Sequence, residues 1–152
     1  MSTDTPLTGD LYLVVGYDGT PPSTRALDAA VRLLIGRAGS IEVVYVAHLP
    51  SVDMLSAGAI AGMEDTFDEV AQDLHAQARE QLRGREERWS FERHDGMIAE
   101  VLVATAARLR DAHPAGTVAI VVGGSSQAMH RVVGSVAVSL ARHAEVPVMI
   151  VP

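Results

Sequence analysis

The segment 11–48, LYLVVGYDGTPPSTRALDAAVRLLIGRAGSIEVVYVAH, decides the fold. Leu11 to Gly19 reads as a buried strand that ends in an Asp-Gly turn. Thr20 is placed to cap a helix, and Pro21 and Pro22 suit its first turn, where a missing N–H costs little. Leu27, Ala30, Val31 and Leu34 then fall on one helical face. Gly36 and Gly39 stop the helix, and Ile41 to His48 is a second β-branched run. A strand, a helix and a strand in succession make a right-handed crossover between parallel neighbours.

Working outward, the pattern repeats. Leu49 to Gly62 has no clear period and reads as a loop. Phe67, Val70, Ala71, Leu74, Ala78 and Leu82 make a second helix stripe. Arg88 to His94 alternates and suits a strand nearer a sheet edge. Ile98, Val101, Leu102, Thr105, Ala106 and Leu109 mark a third helix. TVAIVVGG is a fully apolar strand, Val136, Ala137, Leu140 and Ala144 a fourth helix, and VPVMIVP a fifth strand. The expectation is one α/β domain over 11–152, a doubly wound five-stranded parallel sheet with helices on both faces. Residues 1–10 are expected to be a disordered or loosely ordered lead-in. Such sheets bind ligands beyond the carboxyl ends of their strands, where the strand order reverses. That singles out the loops after strands one, two and four.

Composition agrees. Of 152 residues, 48% are hydrophobic but only 4% aromatic, so the core is aliphatic, as parallel sheets require. A net charge of -7 opposes a general nucleic-acid role. With no cysteine, disulfide, thiolate and Cys-zinc chemistry are excluded. The polar N-terminus is unlike a secretory signal, and no apolar run reaches membrane-span length. The expected compartment is the cytoplasm, with no membrane partner.

The chemistry concentrates in VVGGSSQAMHRVVGSVA, residues 121–137. Gly123 and Gly124 end a strand and admit a close ligand approach. Ser125 and Ser126 can donate. Gly134 and Ser135 open a helix whose free N–H groups suit an anion. His130 and Arg131 can add charge or stand in solvent. A strand-to-helix turn explains the same residues equally well, and Ser135 can serve simply as a cap. No Walker A lysine loop, dinucleotide G-x-G-x-x-G or G-x-S-x-G nucleophile elbow is present. The six histidines show no metal-ligand spacing. His94-Asp95 reads as a turn, and Glu64-Asp65 and Glu86-Glu87 as solvated charges. The apolar stretch from Val52 to Met63 can cover the core, close over a pocket or meet a partner.

Three segments resemble the universal stress protein family: VVGYDGTPPSTRALDAA, IEVVYVAHLP and the C-terminal VVGGSSQAMHRVVGSVAVSLARHAEVPVMIVP. The resemblance runs from Leu11 to Pro152. It implies an adenine nucleotide alpha hydrolase-like sheet of order 3-2-1-4-5 and a homodimer through the last strand, 147–152. One branch of the family binds ATP through G-x-x-G, nine residues and G-[ST]. Here the first glycine falls on Gly123, the second on Ser126, and the closing pair on Gly134 and Ser135, followed by Val136. The spacer, Gln127 to Val133, has only seven residues. Gly16, Tyr17 and Asp18 match the turn near the nucleoside, and Val46 the strand-two position at the adenine. The resemblance thus implies an ATP-binding stress sensor or regulator with no evident catalytic base, Mg2+ arriving on the phosphates. The alternative, favoured by the short spacer, is a dimer that binds no nucleotide and acts through protein contacts. A small hydrolase or an electron carrier rests on fold analogy alone.

Overall fold

A computed structural model describes residues 9–48, 56–85, 88–124 and 134–152. The elements are β1 (Leu11–Gly16), α1 (Pro21–Leu33), β2 (Gly39–Ala47), α2 (Ala57–Gln81), β3 (Trp89–Asp95), α3 (Ile98–Ala112), β4 (Thr117–Gly123), α4 (Ser135–His143) and β5 (Val148–Val151). All five strands run parallel in the order β3-β2-β1-β4-β5. This is the expected doubly wound sheet, with β3 at one edge as its alternating sequence suggested.

Period-two side-chain alternation divides the core into two layers. Leu13 and Val15 of β1 join Ile41, Val43 and Tyr45 of β2 under α1 and α2. Val14 and Val44 point the other way and meet Leu102, Ile120 and Leu140 under α3 and α4. Leu13, Leu27, Leu102, Ile120 and Leu140 are fully buried. Each stabilises the fold by about 1.5–3 kcal/mol relative to exposure.

The start of α1 follows the sequence reading. Thr20 is the N-cap and both prolines occupy the first turn. The Thr20 hydroxyl does not cap the helix. Instead the Thr20 N–H donates to Asp18 Oδ1 at 3.0 Å, and Ser23 Oγ donates to Thr20 O at 2.9 Å. Beyond the helix, Gly36 turns the chain at φ 73°.

One boundary differs. The loop expected through Gly62 is helical from Ala57, because Ser56 Oγ accepts from the Ala59 N–H at 3.2 Å and caps α2. The first turns of α2 are mostly exposed, so no buried stripe marks them in the sequence. The remainder of that loop, 49–55, lies outside the described residues. Among the described residues no helix is long and apolar enough to cross a membrane.

Candidate functional site

The strand order reverses between β1 and β4, so the connections leaving these strands part in opposite directions. A hollow of about 280 Å³ opens at their carboxyl ends. The turn after β1 contributes Gly16, Tyr17 and Asp18 to its wall; β2 contributes Val44 and Val46. The end of β4 supplies Val122, Gly123 and Gly124, and the first turn of α4 supplies Gly134, Ser135, Val136 and Ala137. Eight of the nine sequence-predicted contacts therefore border one hollow. The ninth, Ser126, lies outside the described residues, as do Ser125, His130 and Arg131.

The start of α4 brings free backbone donors to the wall. Gly134 is its N-cap, with φ -62° and ψ 159°, and offers no capping side chain. The cap is thus the glycine, and Ser135 is the first helical residue. The first bond back to the cap is Val138 N to Gly134 O at 3.1 Å. The amides of Ser135, Val136 and Ala137 precede it, so the helix itself cannot satisfy them. These amides and the positive end of the helix dipole favour an anion.

Two glycines serve packing as well as the hollow. A Cβ at Gly123 would stand 2.4 Å from the carbonyl carbon of Pro22, so β4 and the first turn of α1 touch backbone to backbone. A Cβ at Gly16 would stand 3.3 Å from both Leu102 Cδ1 and Val122 Cγ1. The open approach expected at Gly123 is therefore also an approach of α1. Gly124 is less crowded, and its N–H donates to Val151 O at 2.7 Å.

Tyr17 borders the hollow, yet it is only 4% exposed and belongs to the core layer under α1 and α2. Its N–H donates to Val44 O at 2.9 Å. Burial raises its phenol pKa. The tyrosine is thus a wall residue set into the core, and the hollow stays open beside it. Asp18 is exposed. Its Oδ1 accepts from both the N–H and the hydroxyl of Thr20, so the carboxylate is held in a local turn.

Sequence reasoning did not single out Ile98, which borders the hollow and is 38% exposed. The β3–β4 crossover starts at the sheet edge and must return across β2 and β1, bringing the start of α3 to the hollow. The signal was available in strand order combined with the expected edge position of β3. Thr20, Pro22 and Ser23 join the wall for a related reason, because α1 starts directly beneath β4.

His94 and Asp95, read as a turn, are instead the last two residues of β3, and the turn begins at Gly96; Glu86 and Glu87 lie outside the described residues. His94 bonds to Glu92 at 2.8 Å and Asp95 pairs with Arg93 at 2.9 Å, before Gly96 turns at φ 129°. None of these borders the hollow. Among the described residues no group of three or more His, Cys, Asp or Glu could hold a metal ion.

The sequence model of the universal stress protein family matches residues 13–152. The universal stress protein UspA from Lactobacillus plantarum is similar in fold, with a TM-score of 0.69, 19% identity, and coverage of 93% of this chain and 97% of that one. A universal stress protein in complex with cAMP gives a TM-score of 0.59 at 23% identity, covering 95% and 98%. A family protein from Arabidopsis thaliana with AMP bound gives a TM-score of 0.59 at 13% identity, covering 93% and 90%. No curated protein matches the chain.

Proposed function

The chain belongs to the universal stress protein family, and we propose that it binds an adenine nucleotide, ATP with Mg2+ on its phosphates, in the hollow beyond β1 and β4. The observation that carries this reading is the glycine-capped start of α4, whose first-turn amides border the hollow. Gly123, Gly134 and Ser135 take the phosphate end, with Ser126 as a further donor. The nucleoside lies between the Gly16–Asp18 turn and Val46, and Val136 closes the side toward α4. Fold relatives with cAMP and AMP bound support a nucleotide in general.

Charge bears on which nucleotide binds. Among the described residues the wall carries no Arg or Lys, and Asp18 is acidic. A triphosphate therefore depends on its own divalent ion, and a monophosphate needs less compensation. No described wall residue is placed as a base for hydrolysis, since Asp18 is bound within its own turn. The protein acts as a sensor or regulator in the stress response, in the cytoplasm where adenine nucleotides are held. It acts as a homodimer joined through 147–152.

The test is the melting temperature with ATP, AMP and cAMP, each with and without magnesium. A bound nucleotide at ~100 times its Kd stabilises by about 2.7 kcal/mol. Mass spectrometry of the denatured protein would identify any nucleotide retained through purification. No shift at millimolar nucleotide, with none retained, would leave the second reading. That is a dimer working through protein contacts, which the seven-residue spacer favours.

A further inference from the structure

The hollow beyond β1 and β4 has two unlike flanks. Gly96, two residues before Ile98, is tied to the end of β2, its N–H donating to Ala47 O at 3.1 Å. One turn after Ile98, Leu102 packs over Gly16 at the end of β1, where an added Cβ would meet Leu102 Cδ1 at 3.3 Å. The first turn of α3 therefore enters over β2 and crosses toward β1. Ile98 stands on the wall of the hollow at the β2 flank, with Val44 and Val46. The glycine-capped start of α4 stands at the β4 flank, with Gly123 and Gly124. Because β1 separates β2 from β4, the two flanks lie about 10 Å apart, two strand spacings.

Ile98 does not serve the core. It heads the apolar stripe of α3 that continues through Leu102, Thr105, Ala106 and Leu109, all of them buried. Ile98 itself is 38% exposed and joins neither core layer. Its neighbours on the wall differ. Val44 is 1% exposed and belongs to the layer under α3 and α4, and Val46 packs against that layer. The β2 flank thus presents an aliphatic side chain to the hollow that the fold leaves uncovered, and covering it with an apolar group is favourable.

We propose that Ile98 is the base-contacting residue of the hollow: its side chain covers one face of a purine laid beside Val46, while the phosphate reaches the α4 amides at the other flank. This assignment rests on the nucleotide reading above and adds a residue and a base preference to it. The contact is aliphatic, so it rewards the area of the base rather than its hydrogen-bonding edge, and it favours a purine over the smaller pyrimidine.

Calorimetric titration of AMP and CMP into the wild type, Ile98→Ala, Ile98→Leu and Met97→Ala tests this. The wild type should bind AMP more tightly than CMP. Ile98→Ala should bind AMP about tenfold more weakly, and Ile98→Leu, which keeps the volume, within about twofold of the wild type. Met97→Ala changes an exposed neighbour that does not border the hollow, and should bind AMP as the wild type does. Without ligand, Ile98→Ala should melt close to the wild type, because the side chain lies outside the core layers. In nuclear magnetic resonance spectra, the adenine protons of bound AMP should show Overhauser contacts to the Ile98 methyl groups. A wild type that binds no AMP removes the nucleotide reading, and this assignment with it. A wild type that binds AMP overturns the assignment alone if Ile98→Ala binds AMP equally well, if Met97→Ala loses as much affinity as Ile98→Ala, or if CMP binds as tightly as AMP.

Discussion

The guanidinium of Arg108, on α3, pairs with the carboxylate of Glu42, whose side chain is only 8% exposed in β2. Glu92, on the neighbouring strand, lies 3.5 Å from the same guanidinium and bonds to His94. Burial raises the Glu42 pKa, Glu92 adds to the rise, and Arg108 opposes it. Burial would also raise Glu92, but its bonds to His94 and Glu42 and the Arg108 charge hold it below its ordinary value.

Opposite shifts give opposite pH dependences. A raised Glu42 contributes stability that is present below its unfolded pKa and is lost as pH rises through the folded value. A lowered Glu92 contributes stability that is present above its unfolded pKa and is lost as pH falls through the folded value. In urea unfolding between about pH 3.5 and 8, the wild-type advantage over Glu42→Gln should shrink with rising pH, and that over Glu92→Gln should grow. Slopes of the same sign for the two variants would contradict the assignment.

Gly123 and Gly124 are neighbours with different tolerances. A Cβ at Gly123 meets Pro22 backbone at 2.4 Å, whereas at Gly124 the nearest contact is 3.5 Å. Gly123→Ala must move α1 away from β4 and should cost about 1–3 kcal/mol. Gly124→Ala should stay within about 0.5 kcal/mol of the wild type. Thermal unfolding of the two variants checks this, and equal costs would refute the close approach of α1.

These contacts show what was legible in the sequence. Apolar runs separated by amphipathic helices sufficed for the parallel sheet, and glycines at strand ends sufficed to locate the hollow. A glycine does not show which way its missing Cβ would point. Gly123 therefore read as room for a ligand, although the space toward Pro22 is already filled. Tyr17 read as part of the turn near the nucleoside and not as core, because its ring direction depends on the packing beneath α1 and α2. The start of α2 escaped notice because AGAIAG has mostly small, exposed side chains around a lone half-buried Ile60, without a buried period, leaving Ser56 as the only signal. Ile98 needed the crossover geometry, which no local pattern carries.

Asp18 combines a turn and a wall position, and two substitutions separate these roles. Asparagine keeps an oxygen that can accept from the Thr20 N–H; alanine does not. Asp18→Ala should therefore lose about 1 kcal/mol of stability, and Asp18→Asn much less. If the carboxylate contacts a nucleoside, both variants should weaken AMP binding, measured by calorimetry. Unchanged AMP affinity in Asp18→Asn would remove the charge of Asp18 from recognition and leave it a turn residue.

The β5 edge carries the last prediction. β5 pairs with β4 alone among the described strands, and Met149 and Ile150 are 39% and 41% exposed. An apolar strand edge invites pairing with another chain, and a charge on it discourages that pairing. Ile150→Lys should convert a dimer to a monomer in sedimentation at micromolar concentration. Its cost to the monomer should be about 1 kcal/mol or less, since the side chain is already half in solvent. A wild-type chain that sediments as a monomer, or an Ile150→Lys variant that stays dimeric, would rule out this edge. The variant also separates the two functional readings. Nucleotide binding that survives in the monomer shows a hollow complete within one chain, whereas cellular function lost with the dimer while binding persists assigns the output to protein contacts.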